Sequence, residues 1–353
     1  MHRKAGNSRL WFGTIIAIIV LTLPLRSTAQ ESGQNKIKRL TLATVDFIDR
    51  LLNEVDTAYV TDNLYNMTFM PVYSYNYEHY SFKTTTAKEN QGISIAPDSN
   101  NQLTFNIGWH WISVGYSIDL QDSRPQTDFN VNLYTARFGL DLFYRNSNEG
   151  YKIRKLIGFY DGDRPLTKYD NDFDGLTVEQ HGANLYYAFN KRFSYSAAYG
   201  QSTIQRVSAG SFIIGASYNQ QVFDFNYENL DQQIGKQLRE ELRFRNIRYQ
   251  NFSISLGYSY NWAFARNFLA SISLTPAVGY KNTSLKLINR KSLLSGINFD
   301  LTTRAALLYN NNRCFAGLSL VAHSYQYNKK RLTILNGFGV LKLYAGINFW
   351  RKK

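Results

Sequence analysis

The acidic run Asp170–Gly175 has the most metal-like spacing in the chain. Oxygen-bearing side chains at alternate positions, followed by glycine, match the first half of a calcium-binding loop. The twelfth position of such a loop holds glutamate, but here it is His181, and Glu179 lies off register. The flanking pattern is strand-loop-strand rather than helix-loop-helix. We therefore interpret the run as a solvated acidic loop, and keep a calcium site on Asp170, Asp172 and Asp174 as the alternative.

Histidine next to serine is the second pattern with possible chemistry, since lipid-acting barrels combine these residues with a polar orienting group near one rim. Four histidines follow residue 30, namely His79, His110, His181 and His323. Ser324 follows His323, but adjacent strand residues point to opposite faces and cannot pair without a bulge. We interpret His323 as a rim histidine and His110 as part of an interfacial turn.

No residue is therefore predicted to be catalytic, cofactor-binding or metal-binding, and no cofactor is expected. The sequence has no glycine-rich phosphate loop, no paired metal-ligating histidines and no cysteine cluster. Cys314 is the only cysteine, so an internal disulfide is excluded, and we expect it to be a half-buried strand residue. An outer-membrane acyl hydrolase or acyltransferase is the alternative to a protein without enzymatic activity.

The first 29 residues have the pattern of a cleaved signal peptide. Cations at the start precede the apolar segment Leu10–Leu25, and Ser27–Ala29 supplies small residues before a cut at Gln30. An uncleaved anchor is the alternative, but the apolar stretch of about 16 residues is shorter than the roughly 20 needed to span a bilayer. Residues 30–60 follow as a periplasmic segment with one amphipathic helix over 35–54, packed on the barrel mouth or placed inside the lumen.

From Met67 onward the hydrophobic period changes to two. The clearest segment, Asn251–Trp262, alternates large apolar residues with serine, glycine and asparagine. The next segment, 268–280, repeats the pattern after a short turn and predicts a hairpin, with a bulge at Pro276. Hairpins are also predicted for 183–199, turning at 190–192, and for 297–320, turning at 310–313.

Strand starts are predicted near residues 67, 103, 112, 128, 151, 178, 193, 208, 222, 249, 268, 297, 314 and 334. The starts near 151 and 222 have the least support, which leaves 12 to 14 strands. Long polar connections are predicted at 83–101, 161–175, 228–248 and 281–295, and every tight turn falls on the side of the two chain ends. The predicted fold is thus an all-β, transmembrane, antiparallel up-and-down barrel over residues 61–353, with short turns periplasmic.

Composition agrees with a barrel. Aromatic residues make up 15% of the chain, and the mean hydropathy is −0.35. Beyond the signal there is no apolar run long enough for a spanning helix. A barrel combines these properties because lipid-facing and lumen-facing residues alternate and cancel in the average. The predicted location is the bacterial outer membrane.

The net charge is +14, and four of the cations lie in the signal. The remaining cations are scattered rather than gathered on a helix, so nucleic-acid binding is not predicted. We expect attraction to outer-membrane lipid with anionic headgroups, or a cation-lined lumen to which Lys342 contributes. The last strand ends on Phe349 and Trp350, which is typical of strands recognised by the barrel-assembly machinery, although the tail Arg351–Lys353 follows.

Several stretches resemble an uncharacterised family of Bacteroidetes outer-membrane barrels, the domain of unknown function 4421. They occur in order across nearly all of the chain after the signal: Asp56–Val60, Gly108–Trp111, Val114–Tyr116, Phe138–Arg145, Asn184–Tyr187, Phe193–Tyr195, Gln201–Ser202, Ser208–Ser211 and Tyr260–Trp262. The resemblance implies an outer-membrane barrel, and it implies no activity.

Three functions follow as hypotheses. The first is a passive or selective pore, or a structural barrel without chemistry. The second is a lipid-modifying enzyme, which needs histidine, serine and an acid or amide gathered at one rim. The third is a surface adhesion or assembly component acting through the loops. The small polar lumen face favours the first hypothesis, provided that no loop or helix blocks the lumen.

Overall fold

The structure, a computed structural model, describes residues 53–85, 90–98, 100–109, 112–120, 126–147, 150–287, 291–329 and 332–352. The predicted signal peptide lies outside these residues, as does all but the end of the predicted helix over 35–54. Both stay predictions, and so does the domain boundary at residue 61. Among the described residues no helix is long and apolar enough to cross a bilayer.

The described residues form nineteen strands and two short α-helices. The strands in chain order are β1 (Val60–Asp62), β2 (Tyr65–Thr85), β3 (Asn90–Pro97), β4 (Asn100–Trp109), β5 (Ile112–Asp119), β6 (Gln126–Tyr134), β7 (Phe138–Ser147), β8 (Tyr151–Ile157), β9 (Tyr160–Asp161), β10 (Arg164–Pro165), β11 (Lys168–Asp172), β12 (Leu176–Ala188), β13 (Thr203–Gln205), β14 (Ala209–Phe225), β15 (Phe244–Ala265), β16 (Phe268–Leu287), β17 (Lys291–Asn310), β18 (Cys314–Lys329) and β19 (Leu332–Arg351). The helices are α1 (Tyr195–Tyr199) and α2 (Gln232–Gln237), and 3₁₀ turns occur at Tyr227–Asn229 and Glu240–Leu242.

Twelve of the strands close into an antiparallel barrel. Their order around the wall is β2, β19, β18, β17, β16, β15, β14, β12, β7, β6, β5 and β4, and β4 pairs back onto β2. The all-β barrel is confirmed, with the lowest of the predicted strand numbers. Full closure gives each of these strands a neighbour on both sides and leaves no open edge in this part of the wall.

Alternation along the strands separates an apolar outer face from a small polar inner face. On β15, Leu256 is 61% exposed on the outside, whereas the inward Ser259 is completely buried. Outward aromatic side chains border this apolar surface at both edges, with Trp262 at one edge and the cross-strand pair of Phe252 and Tyr280 at the other. Apolar side chains turned outward between aromatic borders are the pattern of a lipid-facing barrel wall.

The predicted strand start near 151 is confirmed, although its strand, β8, lies outside the closed barrel. Two other predicted starts were wrong. Residue 193 precedes a helix. Residues 208 and 222 belong to one continuous strand, β14. One barrel strand, β7, had no predicted start. Because β7 contains Asp141 and Arg145 on its inward face, its alternation is less apolar than that of its neighbours.

The hairpins β15–β16 and β17–β18 are confirmed, with residues 266–267 and 311–313 in their turns. The hairpin predicted for 183–199 was wrong, because β12 pairs with β14 instead. Ser194 accepts a hydrogen bond from the Ala197 amide and caps α1. The alternation in this segment reflects burial inside the barrel rather than a strand.

Pro276 does not form the predicted bulge. The register between β15 and β16 is the same on both sides of it, and next to the proline Leu256 and Gly257 lack a partner on β16. Pro71 has the same effect on β2, since Ala345 and Gly346 of β19 have no partner there while the register continues. Each proline removes one donor from one ladder and leaves the strand order intact.

The predicted long connections at 83–101 and 281–295 consist mostly of strand, because β2 runs to Thr85 and β16 runs to Leu287. The connection at 161–175 contains β10 and β11, and the one at 228–248 contains α2. Strands of 20 to 22 residues are about twice the 9–11 that cross a bilayer. The wall therefore rises well beyond its apolar band.

The two ends of the barrel differ. The tight turns after β6, β15 and β17 lie at one end, where the Lys352 amide also donates to the Leu64 carbonyl at 2.8 Å. We call this the turn end. The tight turns lie at the same end of the barrel as the start of β2 and the end of β19, which confirms the prediction. At the opposite end, the loop end, β2 leaves β4 and pairs with β3, and the wall continues through β8 and β11.

Candidate functional site in the barrel lumen

An apolar plug fills the lumen at the loop end. We define it as the segment 226–243 between β14 and β15 together with the inward side chains that it covers. Four apolar residues of this segment recur at every fourth position and are all buried: Leu230, Ile234, Leu238 and Leu242. They pack with Phe223, whose ring contacts those of Tyr80 and Phe82 at centroid distances of 5.2 and 5.8 Å. Phe223 is completely buried, so this end of the lumen has a protein core.

Hydrogen bonds hold the loop-end plug to the wall. The Gln91 amide group donates to the Gln237 carbonyl at 2.9 Å and accepts from the Arg239 amide at 2.8 Å. Gln237 in turn exchanges two hydrogen bonds with the backbone of Tyr160. Asp231 begins α2 by accepting from the Gln233 amide. Backbone groups of the plug are therefore satisfied, as buried backbone must be.

A second plug, formed by residues 189–208, fills the turn end. It carries α1 and β13, and β13 pairs with β1 from the segment before the barrel. The hydroxyls of Ser194 and Ser196 both hydrogen-bond that of Thr203, at 2.6 and 2.7 Å. Asn261 of the wall donates to the Ser194 carbonyl at 2.8 Å. This turn-end plug therefore combines a buried hydroxyl cluster with buried apolar residues such as Phe193 and Tyr195, and it is hydrogen-bonded to the wall.

Between the plugs lies a layer of charged and aromatic side chains centred on Arg304. Its guanidinium is 3.1 Å from Asp141 and donates to the Tyr186 hydroxyl at 2.9 Å. It also lies over the Tyr186 ring, 4.7 Å from the centroid. Tyr134 donates a hydrogen bond to the same Asp141. Since the Arg304 side chain is only 7% exposed, its charge needs these partners.

A second ion pair crosses the lumen nearer the loop end. Glu78 of β2 is bonded to Arg145 of β7 at 2.7 Å, and the glutamate side chain is 3% exposed. Close by, Asp300 accepts from Asn251 at 2.9 Å and from Asn298 at 2.6 Å. The Lys281 ammonium lies 4.0 Å from the centre of the Tyr249 ring. The inward charges are thus organised as matched groups rather than as a ring of one sign.

The histidines do not gather at one rim. His323 points into the lumen, with Nδ1 3.0 Å from the Thr302 hydroxyl and its ring stacked on Phe338. Ser324 is exposed on the opposite face, as the strand geometry predicts. His79 and His181 lie on β2 and β12 among the outward-facing positions, and His110 lies outside the described residues. The described histidines are therefore not brought together with a serine.

The acidic run ends in ion pairs at the loop end. Asp170 is bonded to Arg154, and Asp172 lies 3.7 Å from the Lys152 ammonium. Lys152 and Arg154 also hydrogen-bond Asp98 and hold the pKa of that carboxyl below its ordinary value. Asp174 is exposed. Within the described residues no cluster of three His, Cys, Asp or Glu side chains is arranged to hold a metal ion.

The predicted position was wrong for Cys314 and right for Lys342. Cys314 is exposed at the start of β18 rather than half-buried, because it follows directly on a turn. Lys342 lies on the inward face of β19, as predicted, and its side chain is exposed. Since Lys342 alternates with outward Leu341 and Leu343, its exposure marks space on the lumen side of the wall.

A family model matches most of this chain. The family model described as "Domain of unknown function (DUF4421)" matches residues 54–349. The chain belongs to this family. The family resemblance of the sequence is thereby confirmed, while an origin in Bacteroidetes stays a prediction. No curated protein matches the DUF4421 chain.

Solved structures similar to the DUF4421 barrel come from three bacteria. The outer membrane protease OmpT from Escherichia coli is 8% identical, with a TM-score of 0.39 over 83% of this chain and 100% of that one. OmpT, an outer membrane protein of Vibrio cholerae, is 9% identical, with a TM-score of 0.27 over 79% and 97%. The Pseudomonas putida toluene transporter TodX is 8% identical, with a TM-score of 0.24 over 80% and 90%.

The central residues of the DUF4421 lumen were missed in the sequence. Arg304 and Asp141 lie 163 positions apart and meet only through closure of the barrel. A local signal did exist, since each is a charge at an inward position of a strand whose other inward residues are mostly small or apolar. A charge at such a position needs a partner of opposite sign across the lumen, although strand pairing is required to say which one.

Proposed function

We propose that the chain is an outer-membrane β-barrel with a closed lumen, acting as a structural, surface-presenting protein rather than as an open diffusion pore. The observation that carries this proposal is the filling of both lumen ends. Phe223 in the loop-end plug and Ser194 in the turn-end plug are both completely buried. A barrel of twelve strands is wide enough to conduct when empty, so the plugs decide the function.

The membrane placement rests on the outer face. Apolar residues such as Leu256 are exposed between aromatic borders, as expected where lipid covers the wall. In outer-membrane barrels the short turns are periplasmic, so the turn end faces the periplasm and the loop end faces outward. The wall above the apolar band, with β3, β8 and β11, then forms a folded platform on the cell surface.

A gated channel is the second candidate, supported by Lys342. Its exposed side chain on the lumen side of β19 is consistent with a water-filled space beside the central charged layer. Displacement of both plugs would connect that space to the two ends. We propose no catalytic role, since the described histidines lie apart from one another and from any serine partner.

Single-channel conductance in planar bilayers tests the closed barrel. The mature chain, beginning at Gln30, is expected to give no conductance step when heat-modifiable gel migration shows that it is folded. A reproducible ohmic step from the unmodified chain would contradict the proposal and favour the channel, and selectivity for anions would point to Lys342.

Plug variants sharpen the test. In one, residues 227–242 are replaced by a glycine-serine linker. In the other, residues 191–210 are replaced by Asn-Gly, because the Asn190 amide and the Ser211 hydroxyl already bond at 2.9 Å and can flank a two-residue turn. Each single variant should stay silent, and the double variant should conduct. Conductance from either single variant would show that the other plug does not close the lumen.

A further inference from the structure

A cavity of about 270 Å³ opens at the turn end, between the turn-end plug and the turn that joins β15 to β16. Arg206 and Gln205 of the plug lie on one side, and Arg266 and Asn267 of the turn lie on the other. Leu308 contributes to the apolar part of the lining. The cavity thus has a mixed polar and apolar lining, and it is bordered by two arginines from separate elements of the fold.

Both arginines are available to a ligand. Arg206 uses Nε to donate to the Thr61 hydroxyl at 3.2 Å, which fixes the side chain and leaves its two terminal nitrogens. Arg266 is exposed and has no hydrogen-bond or ion-pair partner among the described residues. Asn267 adopts a φ of 68° in the turn, a conformation that asparagine tolerates. Guanidinium groups of this kind recognise phosphate oxygens through paired N–H donors.

The outer side of the cavity belongs to the aromatic border of the lipid-facing wall. Phe264 and Phe268 line the cavity and are also exposed. The Phe264 ring packs against the rings of Trp262 and Phe268, with centroid distances of 5.2 and 5.8 Å. Aromatic borders mark the level of lipid headgroups in membrane proteins. The two guanidinium groups therefore stand where the phosphates of the adjacent leaflet lie.

The surroundings favour an anionic lipid. At this end Lys191 and Arg192 are paired with Glu54 and Asp56. Further cations, Arg313 and Arg351, have no acidic partner among the described residues, which leaves the rim positive around the cavity. The cavity volume is below the 300–1,000 Å³ typical of sites for whole small molecules. A headgroup phosphodiester fits this volume better than a complete soluble ligand.

We propose that this cavity binds the phosphodiester headgroup of an anionic phospholipid from the leaflet at the turn end. The inference rests on the membrane placement proposed above, but it is independent of whether the lumen conducts. Arg206 and Arg266 bind the phosphate from two sides, while the aromatic border contacts the start of the acyl chains. Bound lipid would therefore link the turn-end plug to the barrel wall.

Native mass spectrometry of lipid retention tests the proposal. The mature chain in detergent is given phosphatidylglycerol, phosphatidylcholine or inorganic phosphate in turn. We expect one phosphatidylglycerol molecule to be retained in preference to phosphatidylcholine. The double variant Arg206→Gln, Arg266→Gln should lower its retention at least about tenfold, since each cation at a membrane surface contributes on the order of 1 kcal/mol.

Further variants show whether lipid retention comes from the cavity itself or from the general positive charge of the rim. Arg313→Gln removes an exposed rim cation outside the cavity and should lower lipid retention clearly less than the double variant does. Thr61→Ala removes the hydrogen bond to Arg206 without removing charge. Equal loss in Arg313→Gln and the double variant would overturn a specific site in favour of general rim charge. Retention of inorganic phosphate as tightly as lipid would overturn the lipid assignment, and unchanged retention in the double variant would overturn the cavity.

Failure of this test is distinguishable from failure of the proposed function. Heat-modifiable migration of each variant shows whether the barrel is folded. A folded barrel that conducts but retains phosphatidylglycerol would support the lipid site and contradict the proposal of a closed lumen. A folded barrel that gives no conductance and shows no lipid preference would support the closed lumen and contradict the lipid site.

Discussion

At the scale of single residues, the lumen is governed by charge matching. Arg304 and Asp141 are both removed from bulk water, and each is tolerable only because the other is present. The Tyr186 ring and hydroxyl add a cation–π contact and a hydrogen bond to the same guanidinium. Removal of one charge leaves its partner buried and unpaired, which costs more free energy than the pair itself contributes.

The variant Arg304→Met should therefore lower the free energy of unfolding by about 3–5 kcal/mol, the cost of an unpaired buried charge. The double variant Arg304→Met, Asp141→Leu should lose less, because no charge stays unpaired. Urea unfolding in detergent, followed by tryptophan fluorescence, measures both. Arg313→Met at the exposed rim is the control and should change the stability by less than about 0.5 kcal/mol. A stable single variant would contradict the matched-pair interpretation.

Asp98 at the loop end gives a pH prediction of defined sign. Its pKa in the folded protein is below the ordinary 3.8 because Lys152 and Arg154 bond it. The stabilisation is thus fully present above pH 3.8 and is lost as the pH falls through the lower folded value. We expect amide exchange in β3 and β8 to accelerate over that acidic range. Asp98→Asn should weaken this dependence, whereas Asp163→Asn, at a position with no ion pair among the described residues, should not.

At the scale of elements, the period-two pattern predicted those strands whose outer residues must be apolar because they contact lipid. Strands β15 and β16 were predictable because every second residue must be apolar on the outside. Helix α1 was not, since Tyr195 is buried and Tyr199 is half-buried within the barrel, and their alternation has no connection with an outer face. The long connections predicted at 83–101 and 281–295 were wrong for a related reason, whereas the one at 228–248 does join β14 to β15. Above the apolar band the outer face is polar, so the strands continue without the signal that identifies them below.

Proline within the wall supplies the prediction at this scale. Pro276 lacks an amide hydrogen, and the neighbouring Leu256 and Gly257 have no ladder partner on β16. Pro276→Val should restore one ladder bond and raise the free energy of unfolding by about 0.5–1.5 kcal/mol. Ala270→Val, at a position already paired on both sides, is the control and should change the stability less. A loss of stability in Pro276→Val would show that the strand requires the proline ring.

At the scale of the whole molecule, three layers fill one barrel: the apolar loop-end plug, a charged layer, and a turn-end plug that mixes polar and apolar side chains. Composition and alternation were enough to predict a barrel, because its wall is a local repeat. The contents of the lumen were not predictable in this way. They depend on contacts between distant segments, such as β1 with β13, where residues 60–62 meet residues 203–205. The small polar inner face left open whether a loop or helix blocks the lumen, and the segment 226–243 is a loop that packs into it.

The neighbouring positions of β2 and β19 have a consequence for the order of folding. Tyr65 pairs with Arg351, so the seam of the barrel joins segments that are separated by nearly all of its sequence. Most other wall contacts join strands that are close along the chain and can form as hairpins. Closure is therefore the step with the largest loop entropy, and contacts of such long range slow folding. Before β19 docks onto β2, the backbone groups of the seam have no partner on that side. The chain needs protection from association with other chains during that interval.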